Sequence, residues 1–140
     1  MTVLIRASLV LLAVVVLIGC SVLEDTFVQT PSGTQPTADH FPDILALELR
    51  PQGDRVYDVA VTLSSPYDTP ERYADGWRVL DPEGNVLGSH TLLHDHAAEQ
   101  PFTRTQRGLH IPAGIDEITV EGRDQANGFG GSTLTTEVPE

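Results

Sequence analysis

Gly76-Trp77-Arg78-Val79-Leu80-Asp81-Pro82-Glu83-Gly84-Asn85-Val86-Leu87 reads as strand, turn, strand. Pro82 presets the backbone for the second position of a type I turn, and Gly84 or Asn85 can adopt the left-handed conformation that follows. A hairpin with this turn chemistry makes the chain antiparallel at its centre. The pattern repeats on both sides. Val56 to Leu63 alternates strictly, with Tyr57, Val59, Val61 and Leu63 on one face and Val56, Asp58, Ala60 and Thr62 on the other. Ahead of it, Ile44, Ala46 and Glu48 alternate with Leu45, Leu47 and Leu49, and Pro51-Gln52-Gly53-Asp54 supplies turn residues.

Beyond the central hairpin the same grammar continues. Val86 to Leu93 is extended, and His94 to Pro101 is a loop. Phe102 to Ile111 is extended after an irregular start. Ile115 to Arg123 alternates Ile118 and Val120 against Glu117, Thr119 and Glu121. Asn127-Gly128-Phe129-Gly130-Gly131 is a glycine turn with Phe129 covering the sandwich end, and Leu134, Thr136 and Val138 close the last strand on one face. About seven short strands and no helical period predict an all-β, immunoglobulin/fibronectin-III-like antiparallel β-sandwich over residues 42–140, with Trp77 buried on the third strand. The paired cysteines that flank such a Trp in antibody domains are missing, since Cys20 is the chain's one cysteine. The core must hold the fold without a disulfide.

Composition narrows the function classes. Eight arginines, no lysine and twenty carboxylates give a formal charge of −12. Phosphate binding needs clustered cations, so nucleic acid is excluded as a partner, and electrostatic docking on anionic lipid is disfavoured. The balance favours solubility, cationic partners or a salty exterior. Without lysine, Schiff-base and Ser–Lys chemistry is excluded.

The N-terminus carries an address. Arg6 precedes a run of twelve residues, Ala7 to Ile18, apolar except for Ser8 and too short for a comfortable membrane span. Leu17-Ile18-Gly19-Cys20 follows directly. This resembles the bacterial lipobox, which implies a signal peptide over 1–19, cleavage before Cys20, and a lipid (palmitate-bearing in the usual case) on the Cys20 thiol. Cleavage removes Arg6 and leaves seven arginines against twenty carboxylates, −13. Two or three acyl chains anchor stably at about 0.8 kcal/mol per buried CH₂. Ser21 resembles the outer-membrane sorting pattern. The expected setting is an extracytoplasmic, membrane-anchored lipoprotein, on the outer membrane facing the periplasm or at the cell surface. Residues 20–41 are rich in Pro, Thr, Gln and Gly without period, which predicts a flexible tether.

Four blocks, Tyr73-Ala74-Asp75-Gly76-Trp77, Asp81-Pro82-Glu83-Gly84, His94-Asp95-His96-Ala97-Ala98-Glu99-Gln100-Pro101-Phe102-Thr103-Arg104 and Gly128-Phe129-Gly130-Gly131, together resemble a group of small secreted bacterial β-sandwich proteins of uncharacterised function. The resemblance spans about residues 43–138. It implies the fold and a secretory setting, and it brings no activity.

Chemistry concentrates in one stretch. His90, His94 and His96 share parity, so on a strand continuing past Leu93 three imidazoles would project from one face. With Glu99 or Asp95 they would make a Cu²⁺ or Zn²⁺ ligand set. The competing reading is that His94 and His96 pin the loop through backbone hydrogen bonds, with no cofactor. Phe102 and Arg104, with Phe129, are candidate recognition residues: a flat face and a carboxylate fork. The structural alternative has Phe102 plugging the core and Glu99 pairing with Arg104 or Arg78. Asp75 is expected to cap the Tyr67–Tyr73 loop or pair with an arginine. Ser89 and His90 are neighbours on a strand and face opposite ways, so they form no catalytic pair. The sequence therefore predicts a non-enzymatic, lipid-anchored module that binds an envelope protein or polymer, with a Cu/Zn-binding protein as the alternative.

Overall fold

The computed structural model describes residues 40–140. The expected signal peptide, Cys20 and the expected tether up to Asp39 lie outside them. Eight strands follow one another: β1 (Asp43–Gly53), β2 (Val56–Ser64), β3 (Ala74–Leu80), β4 (Val86–Thr91), β5 (Phe102–His110), β6 (Glu117–Asp124), β7 (Gly128–Phe129) and β8 (Leu134–Glu137). They form two antiparallel sheets. One has the order β1-β2-β5, and the other β4-β3-β6, with β7 and β8 both paired to the far side of β6. This is the expected immunoglobulin/fibronectin-III-like sandwich. The strand added to the seven expected is the two-residue β7, which pairs Phe129 with Arg123 and Gly128 with Asp124.

Alternation produces the core. Tyr57, Val59, Val61 and Leu63 of β2 meet Trp77 and Val79 of β3 and Ile118 and Val120 of β6 between the sheets. Each such side chain, fully buried, contributes roughly 1.5–3 kcal/mol. The ambiguous apolar run of β1 is settled by a bulge between Ile44 and Ala46. Ile44 points inward ahead of it, and Leu47 and Leu49 pack on the core after it, with Leu45 left exposed. A bulge shifts parity by one, so both halves of the run bury an apolar face.

The central hairpin forms through Asp81. Its Oδ1 accepts from the backbone N–H of Glu83 and of Asn85 at 3.0 and 2.8 Å, and Gly84, at φ +85°, takes the left-handed position. The aromatic-Gly-Gly block has a different purpose from the one expected. Phe41, read as the last tether residue, packs on Gly130, and the Pro42 carbonyl lies where a Gly131 side chain would be. The N–H of Ile44 then donates to the Ser132 carbonyl at 2.9 Å. The glycines give passage to the entering chain, which is why β7 and β8 are separate.

Gly131 and Gly84 share φ +85°, yet a Cβ at Gly131 would lie 2.2 Å from the Pro42 oxygen and one at Gly84 meets nothing within 4 Å. Gly84→Ala should therefore cost only the left-handed penalty, about 1–2 kcal/mol. Gly131→Ala should cost distinctly more, about 3 kcal/mol or above. Urea unfolding of the two variants checks this; equal costs would contradict the close approach of Pro42.

Candidate functional site: the loop end of the sandwich

Three connections gather at the end where the chain enters. They are 65–73 between β2 and β3, 92–101 between β4 and β5, and 125–127 between β6 and β7. Apart from the short Thr69–Arg72 bridge and a few local turns, their backbones lie outside the strand ladders, and side chains supply further partners. Asp68 joins two of the loops: its carboxylate accepts from the N–H of Ala74 and of His96, both at 3.0 Å. Gln100 does the same from the other side. Its Oε1 accepts from the Ser65 N–H at 2.7 Å, and its Nε2 donates to Ser65 Oγ and to the His96 carbonyl. Asp124, fully buried, accepts from Arg72 at 3.1–3.3 Å and from the N–H groups of Ala126 and Asn127. Arg72 also donates to the His40 carbonyl at 2.9 Å, so the same guanidinium holds the chain entry. It lies over the Tyr67 ring. Burial, then the Asp124 and Asp68 carboxylates, push the Tyr67 phenol far above its ordinary range.

The expected metal set does not assemble. The β4 strand ends at Thr91. Leu92 still turns inward, its N–H donating to the Asp75 carbonyl, and the chain then leaves the ladder at Leu93. The shared parity of 90, 94 and 96 is lost there. His90 stacks on Trp77, its cross-strand partner, at 4.3 Å. His94 is exposed, and its Nδ1 lies 2.8 Å from the Asp95 carbonyl, so Nδ1 carries the proton. His96 is buried and stacks flat on Phe102 at 3.9 Å, with the His94 ring 4.6 Å away. Among the described residues no three His, Cys, Asp or Glu side chains form a group able to hold a metal ion.

The recognition candidates also separate. Phe102 is a core residue covered by His96, so its face is not open to a partner. Arg104 Nη2 donates to both oxygens of Glu99 at 3.0 and 3.1 Å, which holds the Glu99 carboxyl below its ordinary value. Phe129 lies elsewhere, on the outer face of the second sheet beneath the Arg78 guanidinium at 4.1 Å, with Arg123 at 5.9 Å. Asp75 pairs with Arg123 at 3.2 Å, and burial raises its carboxyl pKa. Of the two roles expected of Asp75 it takes the arginine pairing, and the capping falls to Asp68; nothing in the sequence marks Asp68, Gln100, Tyr67, Arg72 or Asp124 for these contacts.

Comparison with known proteins adds one relative. Over 95 residues the chain is 34% identical to a Halomicrobium mukohataei protein named "Putative lipoprotein". The alignment covers 68% of this chain and 46% of that protein, so the chain spans about half the relative's length. No family model and no solved structure matches.

Burial, reinforced by Arg104 and His94, lowers the His96 pKa against the opposing pull of Glu99 and Asp68, and burial lowers that of His90. The folded state thus binds these protons less readily than the unfolded chain. The resulting stability is complete above the unfolded histidine value, about 6.5, and is lost as pH falls through the folded values. Unfolding free energy should decline as pH drops below about 6.5, and His96→Phe should flatten part of that decline. An unchanged slope in the variant would count against it. Asp68→Ala leaves two buried N–H groups unpaired and should cost about 2–4 kcal/mol in chemical denaturation.

Proposed function

We propose that the protein is a lipid-anchored extracytoplasmic binding module, non-enzymatic, in which Cys20 carries the lipid and the loop end of the sandwich meets an envelope protein or polymer. The anchor reading is supported by the lipobox-like Leu17-Ile18-Gly19-Cys20 and by the relative's name. The binding reading is carried by the 92–101 loop. Asp68 and Gln100 fasten it from beneath, yet its tip holds Leu93 at 83% exposure, beside exposed His94. An ordered loop has already lost its conformational entropy, so a partner covering Leu93 gains apolar burial without ordering the loop again. Loops held by a scaffold in this way are the usual carriers of recognition. The carboxylates and amide beneath are committed to backbone N–H groups, which suits a display surface rather than a reacting centre.

Two experiments test the two halves. Mass spectrometry of the mature N-terminal peptide should show a lipid adduct on Cys20, and Cys20→Ser should move the protein from the membrane fraction to the soluble one. An unmodified Cys20 in the mature protein would end the anchor reading. A photo-crosslinking residue at position 93 should give a discrete adduct in intact cells, reduced by His94→Asp. The same probe at exposed Leu45 should not give it. Identical patterns at 45 and 93 would speak against a loop-borne site.

A further inference from the structure

The two sheets meet along one side through β1 and β8. Where the chain enters, the N–H of Ile44 in β1 donates to the carbonyl of Ser132, two residues ahead of β8, and the two strands run on from there. Between them opens a groove of about 920 Å³. Leu47, Leu49 and Val138 give it an apolar floor, and Glu48, Asp116, Glu117, Glu137 and Glu140 stand around it. Its wall is built rather than loose. Val138 N–H donates to the Asp116 carbonyl, and the hydroxyl of core residue Tyr57 donates to the Pro139 carbonyl at 2.6 Å. Among the described residues, no strand pairs with β1 opposite β2 or with β8 opposite β6. Both flanks of the groove are therefore open strand edges, which present unpaired backbone groups to an incoming segment.

We propose that this groove receives an extended, arginine- or lysine-bearing segment of another protein, added as a strand along the β1 or β8 edge. Backbone pairing would supply affinity, and alternate side chains would point to Leu47 and Leu49 and to the carboxylates. Charge selects this occupant over the two others available. Residues 20–39 of the chain itself carry Glu24, Asp25 and Asp39 and no arginine or lysine, and a second copy would bring the same acidic edge. The groove's own cation, Arg55, is committed to the carbonyls of Ile111, Pro112 and Ile115. Glu117 and Glu137 are direct cross-strand partners, a like-charge pair that destabilises the sheet until a cation lies between them. This site is separate from the 92–101 loop and stands or falls independently of it.

A capped seven-residue peptide alternating valine and arginine, titrated into the full chain in mild detergent, tests the proposal. Binding should weaken steeply with salt and shift the amide resonances of residues 47–49 and of Thr136, Glu137, Val138 and Glu140. Glu117→Gln/Glu137→Gln removes two exposed charges without touching the core and should lower affinity about tenfold. Leu47→Lys, which places a cation on the floor, should lower it further. A valine–glutamate peptide of equal length should not bind. The proposal is overturned if neither peptide binds, if both bind equally, if the shifts fall elsewhere, or if sedimentation shows the groove closed by a second copy.

Discussion

The hydrogen bond from Trp77 to Gln106 is the contact on which the sandwich turns. A domain with no disulfide must hold its sheets by packing, and the largest fully buried side chain is an indole whose N–H needs an acceptor. Gln106 of β5, in the other sheet, supplies it at 3.1 Å. That bond joins the two sheets across the core, from β3 to β5, in a domain without the cystine that antibody domains use. It also dictates its neighbours. A Cβ at Gly88 would lie 2.9 Å from Gln106 Nε2 and 2.6 Å from Leu109 Cδ1, so a side chain there would have to displace the ends of both. His90, two residues on, lies opposite Trp77 and closes the indole's outer face. A histidine that looked like a ligand in the sequence is thus committed to covering the tryptophan.

The same economy governs the loop end. Short carboxylates and one amide replace missing strand pairing, and each takes several donors: two for Asp68, and three residues for Asp124. The 92–101 loop is rigid through these bonds and through the His96–Phe102 stack. Its exposed tip is a consequence of the chain leaving the β4 ladder at Leu93, one residue after the last inward side chain.

The strand content was legible because period-two alternation and turn chemistry are local. Tyr57 to Leu63 and Asp81 to Asn85 behave in the fold as they read in the chain. The bulge at Leu45 was not, since a run apolar on both parities fits either register and only the partner strand decides. The metal set failed for a related reason: parity beyond His90 holds only while the ladder lasts, and the departure at Leu93 is set by Asp75 and Asp68 on other segments. Asp68 and Asp124 were passed over because a buried carboxylate and a turn-capping one have the same sequence signature. What separates them is contact with residues about 28 to 52 positions away. Phe102 and the Glu99–Arg104 pair matched the structural alternative: Phe102 enters the core from β5 with His96 stacked on it, and Glu99 meets an arginine five residues on.

The arginines complete the argument about partners. All seven among the described residues are engaged within the domain: Arg55 by three carbonyls, and the others with Glu48, Asp124, Glu121, Glu99, Asp58 and Asp75. These pairs differ greatly in weight. Arg72 answers a fully buried carboxylate, whereas Arg107 approaches Asp58 only at 3.8 Å from an exposed position and contributes little. Six pairs consume six of the seventeen carboxylates from His40 onward, and the remainder, apart from buried Asp68 and Asp81, set the field that an approaching molecule meets. Cations are spent on holding loops and strands, and most carboxylates without an arginine partner are left outward. A surface of that kind repels polyanions and copies of itself and draws cationic segments, most strongly where carboxylates crowd an open strand edge with leucines beneath it.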